Sequence, residues 1–449
     1  MNQDTICALS TAPGGALGVV RVSGPDAFSA VASICSLDCG ACAANTIHFT
    51  HITSGNDVVD EAMVSLFKAP RSYTGEDSVE ISCHGSRYIL NKVLELLLQN
   101  GCRMAGPGEF TQRAYLNGKM DLSQAEAVAD LIASTNKATH DIALSQLRGH
   151  FSSDLASLRE QLLKLTSLLE LELDFSDHED LEFADRSELL ALAQQIEARI
   201  AQLAHTFETG QALKQGIPVA IVGKTNVGKS TLLNRLLHED RAIVSDIHGT
   251  TRDTIEDTID IQGVTFRFID TAGIRQTTDQ IEQIGIDRTY QAIDRARIVM
   301  WLFDAPPTAL EVTSMTARTK GRTLIPIHTK SDRGPLCCDV IAALPTVLSI
   351  SAKTGQGLPA LEQAIYAAAN IPALTDADII VTNARHYEAL QRAQSSLQRV
   401  IEGLHAALSA DLLSEDLRQT LAILAEITGG QITPQETLNN IFSHFCVGK

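Results

Sequence analysis

The residues Gly223-Lys224-Thr225-Asn226-Val227-Gly228-Lys229-Ser230 carry the spacing G-x-x-x-x-G-K-S. An apolar run, Val219–Val222, precedes them, and Leu232-Leu233-Asn234-Arg235-Leu236, which reads as helical, follows. Between a strand and a helix, the glycines let backbone N–H groups wrap a chain of phosphates, and the helix N-terminus adds its partial positive charge. Lys229 then neutralises the β- and γ-phosphates, and the Ser230 hydroxyl ligates Mg²⁺.

Four further segments fall in the order such chemistry needs. Asp270-Thr271-Ala272-Gly273 ends a strand, where a carboxylate can hold the Mg²⁺ shell and a glycine N–H can sense the γ-phosphate. Gly249-Thr250-Thr251-Arg252-Asp253 lies between, where a loop threonine can ligate Mg²⁺ only while the triphosphate is present. In Thr329-Lys330-Ser331-Asp332, Asp332 can accept two hydrogen bonds from the N1 and N2 edge of guanine, and Ser351-Ala352-Lys353 closes the base pocket with a backbone N–H. The set points to a guanine-specific site that binds and hydrolyses GTP. Two departures matter. Thr329 stands where most such proteins have Asn, which predicts the loss of an amide contact to base and phosphate loop. Ile274 stands where Ras-like proteins place a water-orienting glutamine, so another group must position water and offset the developing charge.

The elements that position these residues are legible in outline. A chain of 449 residues exceeds one ordinary core, and 44% apolar with 20% charged residues belongs to a globular protein. No apolar run is long enough to cross a bilayer, and Met1-Asn2-Gln3-Asp4-Thr5 lacks the start of a signal peptide, so a cytoplasmic address is expected. The nine scattered cysteines do not read as a disulfide framework. A net charge of −18 excludes a broad basic surface that coats nucleic acid, so any RNA contact rests on local patches or on a partner.

Residues 1–118 mix short strands (Gly18–Val22, Ser78–Ser82) with a helix over Ile89–Leu98. Beyond Asp121, Leu155, Leu158, Leu162, Leu165 and Leu169 recur at helical spacing, and Leu390, Ala393, Leu397, Val400 and Leu404 do the same near the C-terminus. In between, apolar runs at Val219–Val222, Phe266–Ile269, Ile298–Phe303, Leu324–Ile327 and Val347–Ile350 alternate with helices, the pattern of a parallel sheet covered on both faces. The expected architecture is a multidomain α/β protein. An α+β domain (1–118) precedes an all-α domain in two parts (119–214 and 376–449), with an α/β P-loop domain (215–375) inserted between them.

Over essentially its whole length the chain resembles the MnmE (TrmE) family of tRNA-modifying GTPases. The resemblance is carried by Val20–Gly24, Tyr73-Thr74-Gly75-Glu76-Asp77, Gly106–Ala114, Asn117–Glu126 and the terminal Phe445-Cys446-Val447-Gly448-Lys449. It implies a first domain that binds 5-formyl-tetrahydrofolate or a related one-carbon folate and forms a homodimer. Arg21, Glu80, Lys119 and Lys449 map to folate contacts. Cys446 maps to the cysteine at the modified base. Nucleotide contacts are assigned to Asn226, Val227, Gly228, Lys229, Ser230 and Thr231, to Ser245, Asp246, Ile247, His248, Gly249, Thr250 and Thr251, to Asp270, Thr271, Ala272 and Gly273, and to Thr329, Lys330, Asp332, Ser351, Ala352 and Lys353. A potassium ion held by Asn226, Ser245, Ile247 and Thr250 would replace an arginine finger, with Mg²⁺ on Ser230 and Thr251. Glu282 maps to the general-base carboxylate, and Lys229, Asp270 and Cys446 complete the candidate catalytic set. The resemblance further implies a flavoprotein partner of the MnmG (GidA) type that supplies FAD and NADH chemistry, in a heterotetramer or larger assembly. The pair would install an aminomethyl-type group at C5 of the wobble uridine of certain tRNAs.

Three other readings compete. A ribosome-assembly GTPase shares the nucleotide motifs, but the compact basic module of such proteins is not visible. Cys35-Ser36-Leu37-Asp38-Cys39-Gly40-Ala41-Cys42 has a C-x-x-x-C-x-x-C spacing that can hold an iron–sulfur cluster, yet it lacks an aromatic before the last cysteine and lies outside a barrel-like βα series. A scaffold with a merely regulatory GTP site is opposed by intact Lys229, Ser230, Asp270 and Glu282.

Overall fold

The computed structural model describes residues 4–174, 186–240, 257–269, 282–334, 344–371, 378–430, 435–443 and 445–448. The chain divides into two compact units. One comprises Met1–Ile132, Gln146–Glu197 and Arg392–Lys449, the other Ala133–Ser145 and Ala198–Gln391.

The first unit opens with six strands, β1 (Ile6–Leu9), β2 (Leu17–Ser23), β3 (Thr46–Ser54), β4 (Asp57–Phe67), β5 (Ser78–His84) and β6 (Arg103–Met104). They form one sheet in the order β3-β4-β5-β2-β1-β6, antiparallel throughout except for β1 beside β6. Alternation sorts the faces. Val20, Val22, Ile52, Val64, Leu66, Val79 and Ile81 point into the core, where α1 (Ala27–Ala32) and α2 (Arg87–Gln99) add Val31, Leu90, Val93 and Leu97. In chain order the sheet is followed by α3 (Glu109–Leu116), α4 (Leu122–Ala133), α5 (Lys137–Leu147), most of which belongs to the second unit, and α6 (His150–Asp174). The leucine stripe read from the sequence lies on α6. Leu155, Leu158, Leu162, Leu165 and Leu169 are all buried, each contributing about 2 kcal/mol of apolar transfer.

The second unit is built on β7 (Ile217–Gly223), β8 (Asp257–Ile261), β9 (Val264–Phe268), β10 (Ile298–Phe303), β11 (Thr323–His328) and β12 (Leu348–Ser349). Their order is β12-β11-β10-β7-β9-β8, parallel apart from the β8 edge. All six residues of β10 are buried, as a central parallel strand requires. One face packs Val219, Ile221, Phe266, Phe268, Met300 and Leu302 against α8 (Lys229–Asp240) and α11 (Leu358–Ala368). The other packs Ala220, Val222, Val299 and Trp301 against α9 (Glu282–Arg295) and α10 (Ala309–Arg318). This is the doubly covered parallel sheet that the apolar runs predicted. Residues 133–145 belong to this unit as well. Ala138 N donates to the Gly263 carbonyl at 3.0 Å, and Asn136 Nδ2 donates to Thr265 Oγ1 at 2.8 Å.

Two long helices, α7 (Arg186–Gln215) and α12 (Ala384–His405), contribute residues to both units. On α12 the predicted stripe Leu390, Ala393, Leu397, Val400 and Leu404 is buried. The first unit ends with α13 (Ala410–Thr428) and α14 (Gln435–Ser443). Among the described residues, no helix is long and apolar enough to cross a membrane.

Candidate nucleotide-binding site and the C-terminal tail

The loop after β7 takes its shape from backbone sterics. Gly223 has φ +155° and passes so close to β10 that a Cβ there would lie 2.4 Å from the Leu302 carbonyl oxygen. Asn226 (φ 60°) and Gly228 (φ 102°) are also left-handed, and α8 begins at the next residue, Lys229. A loop that reverses this tightly ahead of a helix turns its N–H groups inward, forming an anion nest. The Lys229 ammonium donates to the carbonyls of Gly223 and Lys224, and burial holds its pKa below the ordinary lysine value. Ser230 and Thr231 follow on the first turn of α8.

The base-edge residues are tied to this loop. The Thr329 hydroxyl is buried and donates to the Val227 carbonyl at 2.7 Å. The expected loss of contact with the phosphate loop is thus corrected, since a hydroxyl makes the bond in place of an amide. Lys330, itself left-handed at φ 57°, spans the loop from outside, donating to the Asn226 carbonyl at 2.9 Å and to Asp304 Oδ2 at 2.6 Å. Asp332 accepts from the buried Ser351 hydroxyl at 2.7 Å. That bond holds the Asp332 carboxyl below the usual carboxylate range. Ala352 and Lys353 continue the turn from Ser351, with Lys353 exposed.

The structure therefore brings together Asn226–Ser230, Thr329, Lys330, Asp332 and Ser351. Ser245 to Thr251, the Asp270–Gly273 segment and Lys449 lie outside the described residues. Glu282 is the first residue of α9. Sequence reading missed Asp304, which fixes Lys330, and Glu311, whose carboxylate meets Lys224 at 2.6 Å while capping α10 through Thr308 N. The capping-box spacing Thr308-x-x-Glu311 marks Glu311 as a helix cap, but not as the partner of Lys224. Among the described residues, no group of three or more His, Cys, Asp or Glu side chains gathers as a metal ligand set, and this includes Cys35, Cys39 and Cys42.

The second assembly lies in the first unit. Arg21 and Glu80 stand opposite each other on β2 and β5, and Arg21 Nε and Nη2 reach Glu80 Oε1 at 2.9 and 2.8 Å. The guanidinium lies 5.4 Å from the Tyr73 ring centre and 5.6 Å from that of Phe110. The Tyr73 phenol meets Thr111 at 2.8 Å, and burial raises its pKa. The tail arrives from more than 400 residues away. Arg21 Nη1 donates to the Gly448 carbonyl at 3.4 Å and Ser10 Oγ donates to it at 3.2 Å. Val447 bridges to Pro107, and Gly108 N donates to the Cys446 carbonyl at 3.4 Å. Gly448 (φ +93°) passes Leu9 so closely that a Cβ would sit 2.4 Å from its carbonyl oxygen, so only glycine fits. Cys446 is exposed beside this seam. Lys119 donates to the Pro70 carbonyl at 2.9 Å. Tyr73, Phe110 and Thr111 were not singled out from the sequence, although they sit inside the segments that carried the resemblance.

Residues 5–119 match the family described as GTP-binding protein TrmE N-terminus, and residues 122–446 match the MnmE helical domain. The chain is 53% identical over 467 residues to a tRNA modification GTPase MnmE of Bacteroides fragilis, covering 100% of both. It is 52% identical over 497 residues to one of Phocaeicola vulgatus, covering 100% of this chain and 99% of that protein. It is 48% identical over 460 residues to one of Flavobacterium psychrophilum, covering 99% of each. Among solved structures, the G domain of the T. maritima FeoB iron transporter is similar at 22% identity, over 34% of this chain and 98% of that one. Its TM-score of 0.24 is too low to carry an argument.

Proposed function

The chain belongs to the MnmE (TrmE) family of tRNA modification GTPases, and from that premise we propose that it couples potassium-dependent GTP hydrolysis to modification of C5 of the wobble uridine in certain tRNAs. The observation that carries the nucleotide half is the Gly223–Ser230 loop with Lys229 inside it and Thr329 and Lys330 braced against it. Lys229 binds the β- and γ-phosphates, and Asp332, kept ionised by Ser351, selects guanine. Ser230 and Thr251 would hold Mg²⁺. Asn226, exposed at the outer turn of the loop, would hold K⁺ together with oxygens of Ser245, Ile247 and Thr250. The two cations would supply charge neutralisation at the phosphates. Glu282, at the start of α9, is the general-base candidate, acting through water.

The modification half is assigned to the Arg21–Glu80 pair, with Lys119, Lys449 and Cys446, as a one-carbon folate and base site, and to a flavoprotein partner that brings FAD and NADH. Arg21 suits a folate carboxylate because its planar fork can bind two oxygens, and Tyr73 and Phe110 flank it with apolar surface. Homodimer formation is supported by the outward face of the β3–β4 hairpin, where Ile47, Phe49 and Met63 stand 63%, 61% and 43% exposed. Residence in the cytoplasm fits a tRNA substrate.

Two measurements test this. Nucleosides from total tRNA of cells with and without the chain should differ by selective loss of a 5-aminomethyl-type wobble uridine. An unchanged profile with accumulating ribosomal subunits would move the assignment to ribosome assembly. GTP turnover should fall sharply when potassium is replaced by sodium, and Glu282→Gln should slow it while sparing GTP affinity. Equal rates in both salts would remove the potassium role, and lost affinity in Glu282→Gln would remove the assigned base.

A further inference from the structure

Cys35, Cys39 and Cys42 lie in the connection between α1 and β3 and take no part in the chemistry above. The backbone around Cys35 is anchored to β3. Cys35 bridges to Ile52, Ser36 N donates to the His51 carbonyl at 3.3 Å, and Thr53 N donates to the Ile34 carbonyl at 2.8 Å. The chain then turns tightly, and three donors converge on the Leu37 carbonyl: Cys39 N at 3.0 Å, Cys35 Sγ at 3.7 Å and Cys39 Sγ at 3.7 Å.

Sharing one acceptor, each at 3.7 Å, sets the two sulfurs beside each other. The neighbouring Cys39 thiol brings the Cys35 pKa down to about 7, while the same contact and burial push Cys39 up. Cys35 is half-buried and reachable, whereas Cys39 is sealed in the core of the sheet. Cys42 is turned to another acceptor, the Asp38 carbonyl at 3.3 Å. The arrangement separates two roles. One sulfur is nucleophilic and accessible, and its neighbour is protonated and held in contact with it.

We propose that Cys35 and Cys39 form a peroxide-reactive pair that closes to an intrachain disulfide. The Cys35 thiolate attacks one oxygen of hydrogen peroxide, the O–O bond breaks, and Cys35 becomes a sulfenic acid as hydroxide leaves and takes a proton to become water. The Cys39 sulfur then attacks the Cys35 sulfur. The S–O bond breaks, the Cys39 proton leaves with the hydroxyl as a second water, and the S–S bond forms. Two thiols lose two electrons, and one peroxide is reduced to two waters. A dithiol reductant reverses the change by exchange.

The test uses the full chain, fully reduced and then exposed to stepwise hydrogen peroxide, alkylated, digested with trypsin and weighed. Cleavage after Arg21 and Lys68 places all three cysteines on one peptide, Val22–Lys68. Exposed Cys446 serves as the internal reference. The expected result is that this peptide loses two hydrogens and keeps one alkylatable thiol, Cys42, at a lower peroxide dose than oxidises Cys446. Cys35→Ser, at a half-buried position, should keep the remaining two thiols reduced at that dose. Cys39→Ser should leave Cys35 as a sulfenic acid that dimedone captures. A cooperative thermal melt followed by circular dichroism, matching that of the parent, reports that each variant has folded. Three alkylatable thiols persisting while Cys446 oxidises would overturn the proposal. So would a disulfide to Cys42, or a Cys35→Ser chain that oxidises as readily as the parent.

Discussion

The nucleotide loop and the Arg21–tail seam are built on opposite plans. The loop is almost contiguous in sequence, and its shape comes from backbone conformation at Gly223, Asn226 and Gly228. Its side-chain braces, Thr329 and Lys330, end on backbone carbonyls of the same loop. The seam gathers Ser10, Arg21, Tyr73, Glu80, Pro107, Phe110 and Gly448 from seven places in the chain. A site made of backbone needs few residue identities at fixed spacing. A site made of distant side chains needs each strand and helix in register first. Substitutions in the loop should therefore act on the nucleotide alone, and substitutions in the seam should act on the tail alone.

The sharpest way to break that separation is Lys229→Ala. Removing a half-buried, charge-assisted donor should cost about 3 kcal/mol, or roughly 100-fold in GTP affinity by titration with a fluorescent analogue. Hydrogen exchange of the tail amides should not change. Gly448→Ala attacks the other side. The clash with the Leu9 carbonyl, added to a left-handed φ, should disfavour the docked tail by about 1–3 kcal/mol. It should appear as faster exchange at Cys446–Gly448 and less modified tRNA, with GTP affinity unchanged. Weaker GTP binding in this variant would show that the two sites are not independent.

Thr329→Val is smaller. It keeps the shape of the side chain but leaves the Val227 carbonyl without its donor, for about 1 kcal/mol and roughly a five-fold loss of nucleotide affinity. Glu311→Gln should be smaller still. The Lys224–Glu311 pair is largely exposed, so at most about 0.5 kcal/mol is expected, and salt should erase it. An effect larger than that of Thr329→Val would mean that α10 shapes the loop.

Sheet and stripe were readable where periodicity is strong. The five leucines of α6 and the five apolar positions of α12 are buried as their spacing required, and β10 is sealed on both faces as its unbroken apolar run required. Residues 133–145 were not readable in this way. They look like more of the helical stretch, yet they join the second unit because Asn136 and Ala138 bond to the β8–β9 turn and β9. A helix period reports that one face is buried and says nothing of what covers it.

The sequence by itself determined the Gly223–Ser230 loop, its order relative to the Thr329–Asp332 segment, and the alternation of strand and helix that presents them. These depend on local backbone geometry and on periods of two or 3.6 residues, which neighbouring residues encode. Only the tertiary structure decided that the Thr329 hydroxyl replaces an amide at Val227, that Asp304 holds Lys330, and that Cys35 and Cys39 share one carbonyl. It alone decided that Gly448 threads past Leu9 to reach Arg21. Each of these contacts is a distance between groups whose separation is set by how strands and helices pack. No residue type or spacing carries that distance until the core has closed around it.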